Sequence, residues 1–419
     1  MTERRSHRYR LFEVVGLELE YVIIDGEFRP RCLLEDMFRH INKRPTSDIE
    51  YRGIGFSNEL AAHVFEIKTL EPKRSLARIE KDLVKGLQFF AGILRDQFGA
   101  RLLPTGMHPF MRASETKLWQ RANRAVYEAY AEIFPLVDHG WLNVQASHVN
   151  FPFGSEADTV AMHNALACLL PYLPAVAASS PIYEGGFGGS VDNRLEFYKV
   201  NQRRLPVVTG EVIPEFIRSY RDYRRKVFKP IRESLDGLPH SERLRPEWVN
   251  SRGAIMRFSR QALEVKILDV QECVKADVAI AVFVRGALKH LVKQMRNRHI
   301  ALPEHAMLVD DMNAAIHDGS RAAVLATHLR GGRRGRGTSV PVRDVLESLL
   351  EQAAGEVSAE ERPYLSIVGE RIRSGSLSER IAHEVRRRCG HRRTDQASAI
   401  RAVYDELADC LEDNRPWSP

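Results

Sequence analysis

With 419 residues, 44% hydrophobic and 28% charged, the chain has ordinary globular composition and enough length to bury a sizeable core. It holds no apolar run of the roughly 18–20 residues that a membrane span needs, and no apolar stretch of the secretory kind follows its basic start, Met1 to Arg10. The net charge of +7 suits an anionic partner or a solvated basic surface, and five cysteines without paired spacing (Cys32, Cys168, Cys273, Cys389, Cys410) argue for reduced thiols in a cytoplasmic protein, against a disulfide framework or a zinc site.

Taken in chain order, residues 11–25 read as a strand followed by a hairpin-like turn at "DGE". Residues 59–70, "ELAAHVFEIKTL", read as a second strand stopped by Pro72. Leu76, Ile79, Leu83, Leu87, Phe90 and Leu94 then recur at helical spacing, with Ser75 suited to cap the start and Gly99 the end. Residues 140–154 read as a strand, residues 157–178 as an apolar helix, and "ASSPIYEGGFGGSVDNR" as a glycine-rich loop. Residues 212–226 have a helical pattern, and 253–272 give two strands around a polar turn. A helix from Ala276 to Met295 follows. The cluster "HLRGGRRGRGTSVP", 328–341, interleaves glycine with arginine and has no aromatic, so stacking on bases lacks support. It reads as a solvated basic loop or as a phosphate or nucleic-acid contact. Residues 341–412 are helical by pattern, with breaks at "ERP", "SGS" and "RRTDQ". Short strands without regular crossover helices argue for an antiparallel sheet with helices on one face. The chain divides into a catalytic region 1–325, a basic loop 326–341 and a helical region 342–419 packed on the first.

The first strand carries two acids. Alternate residues of a strand share a face, about 6.5 Å apart, so Glu18 and Glu20 point one way and Leu17, Leu19 and Tyr21 the other. Such a pair belongs on a solvent-exposed sheet face, or beside cations that compensate its burial. Three further segments share the habit. Glu59 precedes a strand that carries Glu66, with Lys68 on the Glu66 face. His148 and Asn150 share one face of "QASHVNF". Glu264, Lys266 and Leu268 share one face of "ALEVKILD". Oxygen ligands with one imidazole suit magnesium or manganese better than zinc, and Mg²⁺ beside carboxylates points to nucleotide phosphates.

At these residues the sequence resembles the glutamate–cysteine ligase superfamily, and most nearly the bacterial carboxylate–amine ligases of its second family. "GLELE" is similar to that group's opening G-x-E-x-E strand, and Glu59 with Glu66 to its next acidic motif. "LPTGMHPF", with His108, resembles its G-x-H-P loop, and "SHVNF" its histidine strand. "AASSPIYEGGFGGSVDNR" resembles a substrate loop ending in arginine, here Arg194 and altered around "GGFGGS". "ALEVKILD" resembles an E-x-R-x-x-D strand, with Lys266 in place of the arginine.

The resemblance implies an α+β, glutamine-synthetase-like fold: a curved antiparallel sheet forming a funnel, helices on its outer face and a helical C-terminal region. It implies an ATP-dependent carboxylate–amine ligase that forms an amide through an acyl phosphate and releases ADP and phosphate. Two or three Mg²⁺ ions, or Mn²⁺, would be held by Glu18, Glu20, Glu59, Glu66, His148 and Glu264. Lys266 and Arg257 would act on the phosphates, Asn150 would help hold the nucleotide, and Arg194 would clamp a substrate carboxylate. The partners are a small amino acid, peptide or carrier-bound acid and an amine, with no membrane, no call for nucleic acid and room for a homo-oligomer. The rival readings are a phosphotransferase of the same fold and a non-catalytic basic protein that binds an anionic polymer through 328–341.

Overall fold

The computed structural model describes residues 9–44, 46–121, 124–297, 299–329, 338–390 and 395–419, and the backbone of 391 and 392. Residues 330–337, half of the basic loop 326–341, lie outside the described residues. Its centre is an eight-stranded antiparallel sheet. The strands are β1 (Gly16–Ile24), β2 (Asp48–Tyr51), β3 (Ile54–Asn58), β4 (Val64–Thr69), β5 (Arg101–Leu103) and β6 (Ala146–Pro152). A two-stranded ribbon, β7 (Ile182–Tyr183) and β8 (Gly186–Phe187), stands apart, and β9 (Ala254–Arg257) and β10 (Ala262–Asp269) complete the sheet. The order is β2-β3-β4-β1-β6-β10-β9. The edge of β1 opposite β4 is shared, with β6 along Gly16–Leu19 and β5 along Val22–Ile24.

Alternation decides which face is covered. Leu17, Leu19, Tyr21 and Ile23 join one large core with the helices Leu76–Phe98, Glu156–Leu169 and Val274–Arg296. Phe65 lies at its centre, stacked on Phe90 at 4.3 Å between ring centroids, with Phe56 5.3 Å from Phe90. The other face of β1 carries acids at one end and Val22 and Ile24 at the other. Those two sit in a second apolar cluster with Val64, Leu103 and residues of the helices Leu377–Arg392 and Gln396–Asp413. The last helices therefore roof the apolar half of this face and leave the acidic half open. Earlier C-terminal helices, Val342–Ala354 and Leu365–Ser374, join the main core instead.

The helix after β4 runs Leu76–Phe98 as its caps predict: Ser75 Oγ accepts the Arg78 N–H, and Gly99 is left-handed. The apolar helix expected over 157–178 is shorter, Glu156–Leu169, because Pro171 and Pro174 cannot continue its hydrogen bonds. The helix expected over 212–226 is displaced. The chain is extended past Pro214 and turns helical at Tyr220, where Ser219 caps Asp222. A wide π turn, Arg224–Phe228, then precedes Pro230, which has no N–H to donate. The turn after β1 is followed by a single bridge, Ile24 to Pro30, in place of a second hairpin arm. Most consequential is a bulge in β10: Val265 pairs Val149, but Leu268 pairs Ser147. Two steps on β6 thus match three on β10, which turns Leu268 into the core and Asp269 onto the face of the acids.

Candidate active site

The open half of the inner face is a lattice of charged side chains set by strand register. One row crosses Ser57, Glu66 and Glu20. The next crosses Lys68, Glu18 and His148, and a third crosses Gly16, Asn150 and Glu264. Five strands, from β1 near the start of the chain to β10, therefore place their polar groups on one surface. Glu59 joins them from the loop between β3 and β4.

Five of the expected ligands converge. Donor atoms of Glu18, Glu66 and His148 lie within 4.8 Å of one another, as do those of Glu20, Glu59 and Glu66, so Glu66 is common to both groups. His148 Nδ1 stands 3.5 Å from Glu18 and Nε2 3.8 Å from Glu20. The Ala146 N–H donates to Glu20 at 2.8 Å, Ser57 donates to Glu66 at 2.7 Å, and Lys68 pairs with Glu66. Asn150 Nδ2 donates to Glu18 at 3.2 Å, while its buried Oδ1 has no partner.

Electrostatics make this cluster costly unless cations enter. Burial, with the charges of Glu20 and Glu66, raises the Glu59 carboxyl well above its ordinary value. Burial likewise raises Glu20 and Glu66 against the pull of His148 and Lys68. Burial and then Lys266 push the His148 imidazole down to about 4, so it is neutral at neutral pH with a lone pair to offer. Crowded oxygens with one neutral imidazole are a donor set for a hard divalent cation such as Mg²⁺ or Mn²⁺.

Glu264 departs from the expected ligand set. It takes two bonds from Arg257, at 2.5 and 3.2 Å, and one from Lys266 at 3.0 Å. Burial by itself would raise this carboxyl, but Lys266 and Arg257 hold it well below its ordinary value. It belongs to neither three-residue group and instead fixes two cations beside them. The third nitrogen of Arg257 donates to the Glu247 carbonyl at 2.6 Å, which locks the guanidinium.

Arg194 is also committed. It is 2% exposed and paired with Asp269. Asp269 accepts the Ser179 N–H and the Ser180 hydroxyl, each at 2.8 Å, and its carboxyl group fills the space where a Cβ on Gly106 would stand. Asp269 thus orders Arg194. His108 is architectural: its Nδ1 accepts the N–H groups of Phe110 and Met111 at 3.0 and 2.9 Å. Sequence reasoning missed Ser57 and Arg260. The latter sits in the turn between β9 and β10 and reaches Glu18 at 3.3 Å; nothing local marks it.

Three cavities run in line along the lattice. One of 640 Å³ is walled by Val14, Leu70, Pro72 and Phe153 and reaches Glu18, Lys68 and Arg260. The next, of 430 Å³, holds the acids, Lys68, Lys266 and Arg257. The last, of 510 Å³, shares Glu20, Glu59, His148, Arg257 and Lys266 with it and extends to Arg194 and an aromatic wall. No cysteine lines any of them, and burial pushes the Cys168 thiol up to about 12.

Comparison with known proteins agrees with this architecture. An uncharacterized protein of Archaeoglobus fulgidus is 34% identical over 407 residues, which is 96% of this chain and all of that one. The solved glutamate–cysteine ligase of Francisella tularensis, in complex with AMP, superposes with a TM-score of 0.65 at 13% identity, over 96% of this chain and 90% of that one. A bifunctional glutathione synthetase from Pasteurella multocida gives 0.62 at 15% identity, over 95% of this chain and 53% of that one. At such identities these two speak for the fold alone. No described helix is long and apolar enough to cross a membrane. The model of glutamate–cysteine ligase family 2 matches residues 14–406, almost the whole chain, and the chain belongs to that family.

Proposed function

We propose that this chain is an ATP-dependent carboxylate–amine ligase that works through an acyl phosphate. The observation that carries the reading is the pair of acid groups sharing Glu66, set between an apolar cavity and a second cavity that also reaches Lys266 and Arg257. The apolar cavity of Val14, Leu70, Pro72 and Phe153 is of a kind to take a nucleobase. Glu18, Glu20, Glu59, Glu66 and His148 would hold Mg²⁺, which when bound supplies the charge that neutralises a triphosphate.

The chemistry balances as two displacements. A carboxylate oxygen of the acid attacks the terminal phosphorus of ATP, the bond from that phosphorus to the bridging oxygen breaks, and ADP leaves. The amine nitrogen then attacks the acyl carbon, phosphate leaves and the nitrogen gives up a proton. The triad of Lys266, Arg257 and Glu264 carries one net positive charge at the junction of the two cavities, positioned for the transferring phosphoryl group. With no cysteine on the cavities, a thioester route has no nucleophile.

Hydroxylamine tests the reading. With ATP, Mg²⁺ and an acid substrate, it should intercept the intermediate and give a hydroxamate together with ADP and phosphate. AMP and pyrophosphate as products would overturn the proposal, as would ADP release that needs a single acceptor.

A further inference from the structure

The turn between β9 and β10 stands where the three cavities meet. Arg260, within it, is the one described residue that lines each of them. Its backbone is fixed: the Arg260 N–H donates to the Arg257 carbonyl at 3.1 Å, and the next carbonyl, of Gln261, takes the Phe153 N–H at 2.8 Å from just past β6. Its side chain is held far less. It is 61% exposed, and one nitrogen, Nη1, reaches one oxygen of Glu18 at 3.3 Å.

The neighbouring cations are bound more firmly. Lys266 and Arg257 are tied to Glu264, and Arg257 also to the Glu247 carbonyl. Lys68 pairs with Glu66 and donates to Ser57 at 2.8 Å. Glu18, Lys68 and Arg260 are the residues common to the apolar cavity and the acid-lined one, so a triphosphate that runs from a base in the first to cations in the second passes them. The Glu18 oxygen that Arg260 reaches also takes the Asn150 amide at 3.2 Å, and Glu18 belongs to the acid group of Glu66 and His148. A divalent cation at that group and the guanidinium would compete for one carboxylate. An exposed ion pair of this kind is weak, whereas the planar fork of arginine fits a phosphate through two parallel hydrogen bonds.

Resting on the ligase reading above, we propose that Arg260 is a nucleotide-binding residue that changes partner: it covers Glu18 in the free protein and moves to the triphosphate when a divalent cation takes Glu18. The exchange couples the two ligands. Arg260 opposes the metal while no nucleotide is bound, and the phosphates remove that opposition when they draw the guanidinium away.

The test reads the two ligands separately on the full chain. Titration of the nucleotide-free protein with Mn²⁺, followed by the electron-spin-resonance signal of the free ion, reads the competition at Glu18. Calorimetry with the non-hydrolysable β,γ-imido analogue of ATP at saturating Mg²⁺ reads the phosphate contact. Arg260→Gln should bind Mn²⁺ about two- to fivefold more tightly than the parent, the worth of an exposed ion pair, and should bind the analogue at least about tenfold more weakly. Arg260→Lys keeps the charge and loses the fork, so its affinity for the analogue should fall between the two. Both shifts without any hydroxamate in the hydroxylamine assay would uphold the exchange and overturn the ligase reading. Analogue binding by Arg260→Gln as tight as the parent's, or Mn²⁺ binding no tighter than the parent's, would overturn the inference, whatever the turnover. A parent that binds no analogue would overturn both.

Discussion

Lys266→Ala isolates the cationic triad from the acid cluster. Lys266 donates to Glu264 at 3.0 Å, and its side chain is 20% exposed. Its loss leaves Glu264 with both bonds from Arg257, so the buried carboxylate stays paired and the fold should persist. The junction, however, falls from one net positive charge to zero. In the proposed mechanism the removed charge faces a phosphoryl group whose negative charge develops in the transition state, so the damage should appear in kcat and not in the KM for ATP. One preorganised contact of this kind is worth about 2.7 kcal/mol, or on the order of 10²-fold in kcat. Lys266→Arg keeps the charge and should retain most of the activity, with altered geometry at its partner. The assay is coupled ADP release with hydroxylamine as acceptor, run beside thermal unfolding of each variant. A Lys266→Ala enzyme with wild-type kcat and an unchanged melting curve would refute the assignment of Lys266 to the phosphates.

Glu66→Gln removes the one carboxylate common to both acid groups. It should abolish turnover, and Mg²⁺ should no longer raise the melting temperature; a Mg²⁺-dependent shift as large as that of the parent would place the ions elsewhere. The Glu59 carboxyl, raised by burial and by Glu20 and Glu66, keeps its proton to higher pH in the folded protein than in the unfolded chain, where it titrates near 4.5. Metal-free protein should therefore lose stability as pH rises above that value, and Glu59→Gln should be spared this loss. Urea midpoints with a chelator, between about pH 5 and pH 7.5, should show the advantage of Glu59→Gln growing with pH; a constant gap would contradict the shift. In the core, Phe65→Ala should cost about 3–5 kcal/mol in denaturant unfolding, because Phe56 and Phe90 stack around it and cannot collapse into the void. A loss below ~1 kcal/mol would mean the aromatic stack relaxes freely.

How much was legible from the chain depends on how local each cause is. Period-two alternation in "GLELE" is a property of five consecutive residues, and β1 shows Glu18 and Glu20 on one face as read. Ser75 and Gly99 cap a helix through contacts three to five residues away, so those ends were also legible. The hairpin of β2 and β3 escaped notice because its turn is Arg52–Gly53, both left-handed, without the Asn-Gly or Asp-Gly that marks such turns. The bulge in β10 could not be read either. It exists only relative to β6, and it alone sends Asp269 to Arg194 and Leu268 into the core.

By itself, then, the sequence determined which side chains could share a face: the acids of β1, Glu66 with Lys68, His148 with Asn150, Glu264 with Lys266. Backbone geometry sets that pairing before any tertiary contact forms. Only the tertiary structure decided what each face meets. Val22 and Ile24 lie on the same face of β1 as Glu18 and Glu20, yet the C-terminal helices roof the aliphatic pair and leave the acids open. Only the packed sheet brought Arg257 to Glu264, and kept Glu66 for two groups of acids at once. The physical reason is range: dihedral preference acts over a few residues, whereas the partner of a buried charge comes from whichever distant strand the register places beside it.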